Sequence, residues 1–382
     1  MKIGVNTRFL LKGQLEGIGM YTQEVFRRVV QLLPEHEFYF FFDRPYDASY
    51  IRAENITPVV VHPPARHPFL WYWWFEYALP AALKKHGIQL LLSPDGYGSL
   101  STEVPQIITI HDLGFEHFPE HNPPLVRWYY RHFVPKYCHK ATHLLTVSDF
   151  TKQDIIRRYG IAPEKITVAP NGFDTSELPE NIQTIAENYD LSDAPYFAYL
   201  GAIHPRKNIL TLLKAFEHFK KETGLSHRLV LIGRDAWMND ALEDFYSKMS
   251  FRTSVIRVPK SERTEALRLL REACALVYPS WFEGFGIPIL EAMSLGVPVI
   301  CSNTSSMPEV AGDAALLVAP DDLQGWSDAM QRLATDNVLR DTLTEKGRKQ
   351  ASAFSWEESA KKITAIIRQQ LADNDRKYFS TT

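Results

Sequence analysis

Short apolar runs, separated by helical or irregular stretches and arranged in two successive series, limit what this chain can fold into more than any other feature. The first series is Ile3–Asn6, Phe38–Phe42, Val59–Val61, Gln89–Leu92, Gln106–Ile110 and His143–Val147; the second is Tyr196–Leu200, Leu229–Ile232, Val255–Val258, Ala275–Tyr278 and Ala315–Val318. Runs without polar alternation suit strands covered on both faces, the situation in parallel sheets whose crossovers lay helices on either side. Helices are expected from Met20 to Leu33, Phe150 to Tyr159, Leu210 to Lys221, Ala266 to Glu272, Leu323 to Phe354 and Trp356 to about Leu371. A chain of 382 residues exceeds the roughly 250–300 at which single cores stop growing, so two α/β domains are expected. Residues 175–194 are polar and aperiodic, with Pro179 inside and Pro195 just beyond, and mark the linker. The division is therefore 1–174, a linker 175–194, and 195–355, with residues 356–382 left as a terminal helix.

Charge and cysteine usage exclude several classes. A net charge of −3 and a pI near 6.5 give no electrostatic case for nucleic acid. The first residues, Met-Lys-Ile-Gly-Val-Asn, read as a buried strand rather than a signal peptide, and no apolar run approaches the ~18 residues of a membrane span. Cys138, Cys274 and Cys301 have neither metal nor redox spacing. The expected setting is cytoplasmic. The aromatic stretch Phe69 to Leu83, with Trp71, Tyr72, Trp73, Trp74, Phe75 and Tyr77, invites a membrane or stacking reading, but core or interface packing is the expectation. Pro80 and Lys84-Lys85 leave a surface helix open there.

Ser280 to Val299 carries the densest chemical signal. Gly284 and Gly286 let the backbone approach a ligand, Pro288 suits the first helical position, and Gly296 ends about two turns of helix. Free first-turn amides carry partial positive charge and favour an anion. Glu283 and Glu291 would repel a phosphate, so they are better placed to accept hydrogen bonds from neutral hydroxyls, as on a sugar and a ribose. For either acid alone, a loop carboxylate or a helix-favouring residue remains an equal alternative.

Glu283, seven residues, then Glu291, within Glu-Gly-Phe-Gly-Ile-Pro-Ile-Leu-Glu-Ala-Met-Ser-Leu-Gly-Val-Pro-Val, resembles the signature of family 4 retaining glycosyltransferases. The resemblance implies the GT-B fold: α/β, two facing Rossmann-like domains with the active site in the interdomain cleft, and the terminal helix packing back on the first domain. It places Glu283 beside the donor sugar with the amides of Phe285 and Gly286, and Glu291 on the ribose. Asn171-Gly172-Phe173-Asp174, a turn by its chemistry, resembles the family's marker before the second domain. Glu16-Gly17-Ile18-Gly19 follows the first strand; alone it is a weak glycine loop or a tight turn, and the resemblance sets Gly17 and Gly19 near the donor phosphates.

His111-Asp112 lies at the carboxyl end of a strand, where α/β folds hold ligands. The resemblance gives His111 the positioning of the sugar and stabilisation of charge, with Asp112 as its orienting partner. Arg206-Lys207 follows the strand Tyr196–Leu200; a planar fork beside a point charge suits a diphosphate, and the family carries such a pair. The resemblance also implies that the backbone near Val258 meets the base. The base itself, guanine, uracil or adenine, is not readable. The implied reaction moves a hexose, mannose favoured, from a nucleotide-diphosphate sugar, GDP-mannose favoured and a UDP-sugar as the other donor, to a hydroxyl acceptor with retention and no metal. Surface polysaccharide or glycan biosynthesis is the expected setting, with a glycan or lipid-linked glycan as acceptor and peripheral association at the inner face of the membrane. Asp373-Asn374-Asp375 resembles a metal motif of another fold and is read as coincidence. A sugar-nucleotide epimerase of the same fold and a non-catalytic nucleotide-sugar binding module are the rivals.

Overall fold

The computed structural model describes residues 1–13, 17–174, 189, 191, 194–234, 240–259 and 261–380. Most of the expected linker, together with Glu16 and Lys260, lies outside the described residues, as do the side chains of Asp373 to Asp375. The chain divides into two compact units, Met1–Gly172 with Ser355–Thr382, and Phe173–Phe354.

In the first unit the strands are β1 (Lys2–Asn6), β2 (Glu37–Phe42), β3 (Ile56–Val60), β4 (Leu90–Ser93), β5 (Gln106–Ile110), β6 (His143–Thr146) and β7 (Ile166–Val168). They form one parallel sheet in the order β3-β2-β1-β4-β5-β6-β7. Chain order reverses between β1 and β4, so the loops leaving those strands diverge and open a crevice at the carboxyl edge. In the second unit β8 (Tyr196–Leu200), β9 (Arg228–Ile232), β10 (Val255–Val258), β11 (Ala275–Tyr278), β12 (Val299–Ser302) and β13 (Ala315–Val318) form a parallel sheet ordered β10-β9-β8-β11-β12-β13. Its reversal falls between β8 and β11.

The apolar runs are core because helices cover both faces of each sheet: Ile3, Val5, Leu90 and Ile107 in one unit, and Phe197, Leu229, Leu276 and Ile300 in the other, are 0–1% exposed. The helix Trp356–Ser380 belongs to the first unit, where the Ser359 hydroxyl donates to the Pro170 carbonyl at 2.6 Å and Trp356 meets Tyr21 edge-on at 6.0 Å.

Several expectations need correction. The helix expected from Met20 begins at Gly17 and runs to Leu32, so Gly17 and Gly19 sit in its first turn rather than in a loop. The helices expected over 323–354 are present as Leu323–Thr335 and Asn337–Ala351, divided at Asp336, whose carboxylate caps the Leu339 amide. Strands β7 and β12 were not anticipated, because β7 is three residues long and β12 merges with the preceding apolar stretch. The helix Pro124–Lys140 was also missed, since Pro135 interrupts its pattern. Finally, the Phe69–Leu83 aromatics split: Trp74 and Phe75 are fully buried, whereas Phe69, Trp73 and Tyr77 are 52–68% exposed.

Candidate active site

In the second unit, the loop leaving β8 is built to hold two cations in place. It ends in a single 3-10 turn, Pro205–Lys207, where the Arg206 amide donates to His204 Nδ1 at 3.2 Å. Asn208 follows in the left-handed region with φ 58°, which Asn tolerates better than most residues. Its amide donates to the carbonyls of Pro279 (3.1 Å) and Pro320 (2.7 Å), fixing the turn against the loops after β11 and β13. The neighbouring loops are equally tight. Gly201 N–H donates to the Ile232 carbonyl, and Gly233 N–H to the Val258 carbonyl, each at 2.9 Å.

Across the reversal point, the chain leaves β11 through Tyr278 and reaches Glu283, which is 6% exposed. Lys207 Nζ donates to Glu283 Oε1 at 2.6 Å and to the Tyr278 hydroxyl at 2.8 Å, and that hydroxyl donates to Oε1 at 2.9 Å. Arg206 Nη1 donates to the Phe282 carbonyl at 2.6 Å and lies 3.3 Å from Glu283 Oε2. Burial alone would raise the Glu283 pKa, but the Lys207 and Arg206 charges outweigh it and hold the carboxyl at about 2. Burial and the Glu283 charge keep the Tyr278 phenol protonated, with its pKa well above the usual 10. Serines complete the cradle: Ser305 Oγ accepts from the Glu283 amide at 3.0 Å, and Ser306 Oγ donates to its carbonyl at 2.9 Å. Glu283 is thus an anchor for two cations, ionised at neutral pH, and a weak base. The solvated-loop alternative does not describe it.

Gly286, at φ 93°, turns the loop into the helix Ile287–Ser294. Pro288 is its second residue rather than its first. Glu291 is the fifth, beyond the first turn, so stabilising the helix N-terminus does not account for it. Its carboxylate is 2% exposed and accepts from Arg263 Nη1 at 2.7 Å, while the Arg263 guanidinium lies 5.9 Å over the Phe173 ring. The Phe285 side chain is buried against Phe354, with ring centroids 5.4 Å apart, leaving only its backbone for a ligand. Val258 is 1% exposed at the end of β10, and its carbonyl already receives the Gly233 amide.

In the first unit, His111 stands directly after β5. Its Nε2 donates to the Pro94 carbonyl at 2.7 Å, and its ring meets Tyr21 edge-on at 4.9 Å. Burial lowers its pKa from the ordinary 6.5, and the Pro94 bond only partly offsets this. The ring is therefore neutral at pH 7, with Nδ1 left as an acceptor. In that state it can position a hydroxyl. The Pro94 carbonyl orients the ring, and the neighbouring Asp112, which also accepts from the Gly114 amide at 2.7 Å, acts on it through its charge. Gly17 is exposed and Gly19 buried in the helix that follows β1.

The sequence reading therefore named Arg206, Lys207 and Glu283, which the structure joins, and Glu291, which pairs with Arg263 instead of with them. It missed Tyr278, Ser305, Ser306 and Arg263, and also a buried Arg8–Asp95 pair at 2.6 Å between the loops after β1 and β4. Tyr278 and Asp95 stand at or just past the ends of the strands flanking each reversal point, a positional signal that could have found them.

Residues 15–177 match the family described as Glycosyltransferase Family 4, and residues 181–350 match Glycosyl transferases group 1. The O-antigen chain mannosyltransferase B of Escherichia coli is 35% identical over 255 residues, 66% of this chain and 67% of that one. The O-antigen chain mannosyltransferase RfbU of Salmonella typhimurium is 30% identical over 267 residues, 70% and 71% of the two chains. Among solved structures, sucrose-phosphate synthase from Thermosynechococcus elongatus superposes with a TM-score of 0.78 at 19% identity, covering 97% of this chain and 99% of that one. HepE of Anabaena, in complex with UDP-glucose, superposes with a TM-score of 0.73 at 15% identity, covering 97% and 100%.

Proposed function

Because the chain belongs to the family 4 glycosyltransferases and has the GT-B fold, we propose that it transfers mannose from GDP-mannose to a hydroxyl of a glycan acceptor, with retention at the anomeric carbon. The choice of mannose draws on the two O-antigen mannosyltransferases at 35% and 30% identity. The observation that carries the reading is the cluster of Lys207, Arg206 and Glu283 at the reversal point of the second sheet.

Diphosphate binding draws the Lys207 and Arg206 donors onto phosphate oxygens, and Glu283 keeps both cations at the mouth of the loop. The start of the Ile287–Ser294 helix adds backbone dipoles. Glu291, steadied by Arg263 on one oxygen, accepts from the ribose hydroxyls. His111 Nδ1 accepts from a sugar hydroxyl. As the bond from the anomeric carbon to the phosphate oxygen breaks, its electrons go to the phosphate, which the two cations stabilise. The acceptor oxygen bonds to the same face and its proton passes to the departing phosphate. Glu283, with a carboxyl pKa of about 2, positions rather than takes that proton. The phosphate charge is met by side chains, so the step requires no metal. An acceptor carried on a lipid would bring the protein to the inner face of a membrane.

The test is thermal unfolding with GDP, UDP and their sugars, since ligand at 100-fold its Kd stabilises by ~2.7 kcal/mol, followed by NMR of the product formed in excess chelator. Stabilisation by GDP-mannose and an α-mannoside product are expected. Stabilisation by UDP-sugars alone would replace the donor, an inverted product would remove the mechanism, and rate restored only by Mn²⁺ would remove metal independence.

A further inference from the structure

Two loops of the first unit are tied together by charge at the point where its sheet reverses. The chain leaves β4 through Ser93-Pro94-Asp95-Gly96-Tyr97, a turn by its residue chemistry, with Gly96 in the left-handed region at φ 83°. Asp95 Oδ1 closes that turn, accepting from the Tyr97 amide at 3.2 Å and from the Ser93 hydroxyl at 3.3 Å. Its other oxygen, Oδ2, accepts at 2.6 Å from Nε of Arg8, which comes from the loop after β1. A second link runs beside the first: Asn6 Nδ2 donates to Ser93 Oγ at 3.0 Å, while Asn6 Oδ1 accepts from the Arg8 amide at 3.3 Å. The Arg8 guanidinium lies 4.0 Å over the Tyr97 ring and 5.2 Å over that of Phe75. Asn6, Arg8, Ser93 and Asp95 are all buried.

Stability alone does not explain two charges in such a place, since well-packed apolar residues of similar volume commonly do as well as a buried ion pair. What the pair holds is a carbonyl. Strand β4 stops at Ser93, opposite Ile108, whereas β5 continues to Ile110. His111 therefore comes up against the turn, and its Nε2 donates to the Pro94 carbonyl at 2.7 Å. A carbonyl oxygen can only accept, so the ring proton is on Nε2 and Nδ1 is left as the acceptor. Pro94 stands between Ser93 and Asp95, the two residues that Asn6 and Arg8 grip.

We propose that Arg8 and Asp95 are positioning residues for His111: their ion pair holds the Pro94 carbonyl at Nε2 and thereby keeps Nδ1 turned to the substrate. This role rests on the reading above, in which Nδ1 accepts from a sugar hydroxyl, and it adds the two residues through which that contact is set. Their effect on the sugar passes through the imidazole.

Arg8→Met with Asp95→Asn removes both charges together, so that no uncompensated charge is left buried, and the amide oxygen that replaces the carboxylate still accepts within the turn. With ¹⁵N-labelled histidine, the His111 ring signals are those missing from the spectrum of His111→Asn. The parent should show a proton on Nε2 that exchanges slowly with water, and the pair variant should lose that signal. Calorimetry then compares GDP-mannose, or the UDP-sugar that stabilises the protein in its place, with the free diphosphate. The pair variant should bind the sugar nucleotide about 2- to 12-fold more weakly, the worth of one hydrogen bond, and the free diphosphate as before. Arg8→Lys, which keeps a cation opposite Asp95, should retain both the Nε2 signal and the affinity. In the His111→Asn background the pair variant should add less than about twofold, because the effects share one route. A parent proton on Nδ1, an Nε2 signal undisturbed in the pair variant, equal loss of affinity for sugar nucleotide and free diphosphate, or a loss fully additive to that of His111→Asn would overturn the proposal. Loss of the Nε2 signal with unchanged affinity for the sugar nucleotide would support the link between the pair and the ring, and would count against the sugar contact assigned to Nδ1.

Discussion

Glu283 and Lys207 show how one contact can serve both stability and chemistry. Neither side chain is well exposed: the pair is 8% and 14% accessible, and Arg206 beside it 24%. Removing the acid leaves two cations facing each other with part of their hydration already lost. Glu283→Ala is therefore expected to destabilise by about 3 kcal/mol, the low end for breaking a buried pair, and to abolish turnover. Lys207→Ala acts differently. Glu283 retains Arg206, and the main loss is a charge-assisted contact to phosphate worth about 1.5–3 kcal/mol, or roughly 10- to 150-fold in nucleotide diphosphate affinity. Calorimetry with GDP or UDP measures this, and unchanged affinity would remove Lys207 from the phosphate site. The residue chemistry was legible where charge stood next to a strand end, as in Arg206, Lys207 and Glu283. It was not legible for Arg263, whose link to Glu291 spans 28 positions of sequence and leaves no local pattern.

The same distinction holds for elements. Runs such as Phe38–Phe42 and Tyr196–Leu200 coincide with β2 and β8 almost residue for residue, because strands buried on both faces need continuous apolar sequence. The Pro124–Lys140 helix is different: it is stabilised by one buried face, Tyr129, Phe133 and Tyr137, while its exposed face is also aromatic, so no clean period emerges. Loop geometry is the least visible level. Gly233, at φ 142°, presses against the neighbouring loop so closely that a Cβ would lie 2.1 Å from the Gly201 carbonyl oxygen. That oxygen is backbone, so relief requires the loops after β8 and β9 to part, and with them the turn that carries Arg206 and Lys207. Gly233→Ala should destabilise the second unit by about 2–4 kcal/mol and weaken nucleotide binding, while the first unit unfolds as before. Urea unfolding of the variant distinguishes this from a neutral loop change, which would move neither unit.

Across the whole molecule, acid should unfold the two units for related reasons. His143, on β6 in the first unit, and His227, beside β9 in the second, are held near a pKa of about 4, first by burial and then by nearby lysine and arginine charges. The His143 ring bonds to Thr167 at 2.8 Å, and the His227 ring stacks on Phe197 at 5.3 Å. Each would titrate near 6.5 once unfolded. The folded units thus bind fewer protons than the unfolded chain between those values, so stability is fully present above pH 6.5 and falls as pH drops toward 4. Each histidine contributes on the order of 1–2 kcal/mol over that window once solvent screening is allowed for. Glu283 adds a second phase in the second unit: its carboxyl sits at about 2 against an ordinary 4.5, so its contribution is present above 4.5 and lost toward 2, and in the first unit Asp154, held down against its burial by His117 and Arg158, acts in the same direction. Urea unfolding at pH 7, 5.5 and 4.5 should show both units weakening together, with His143→Gln flattening the loss in the first unit alone. Below pH 4.5 the second unit should continue to weaken, and Glu283→Gln should reduce that extra loss, leaving the smaller part due to Glu217. A second unit equally stable at pH 7 and 4.5 would mean that His227 is solvated in the folded protein and titrates as it does in the unfolded chain.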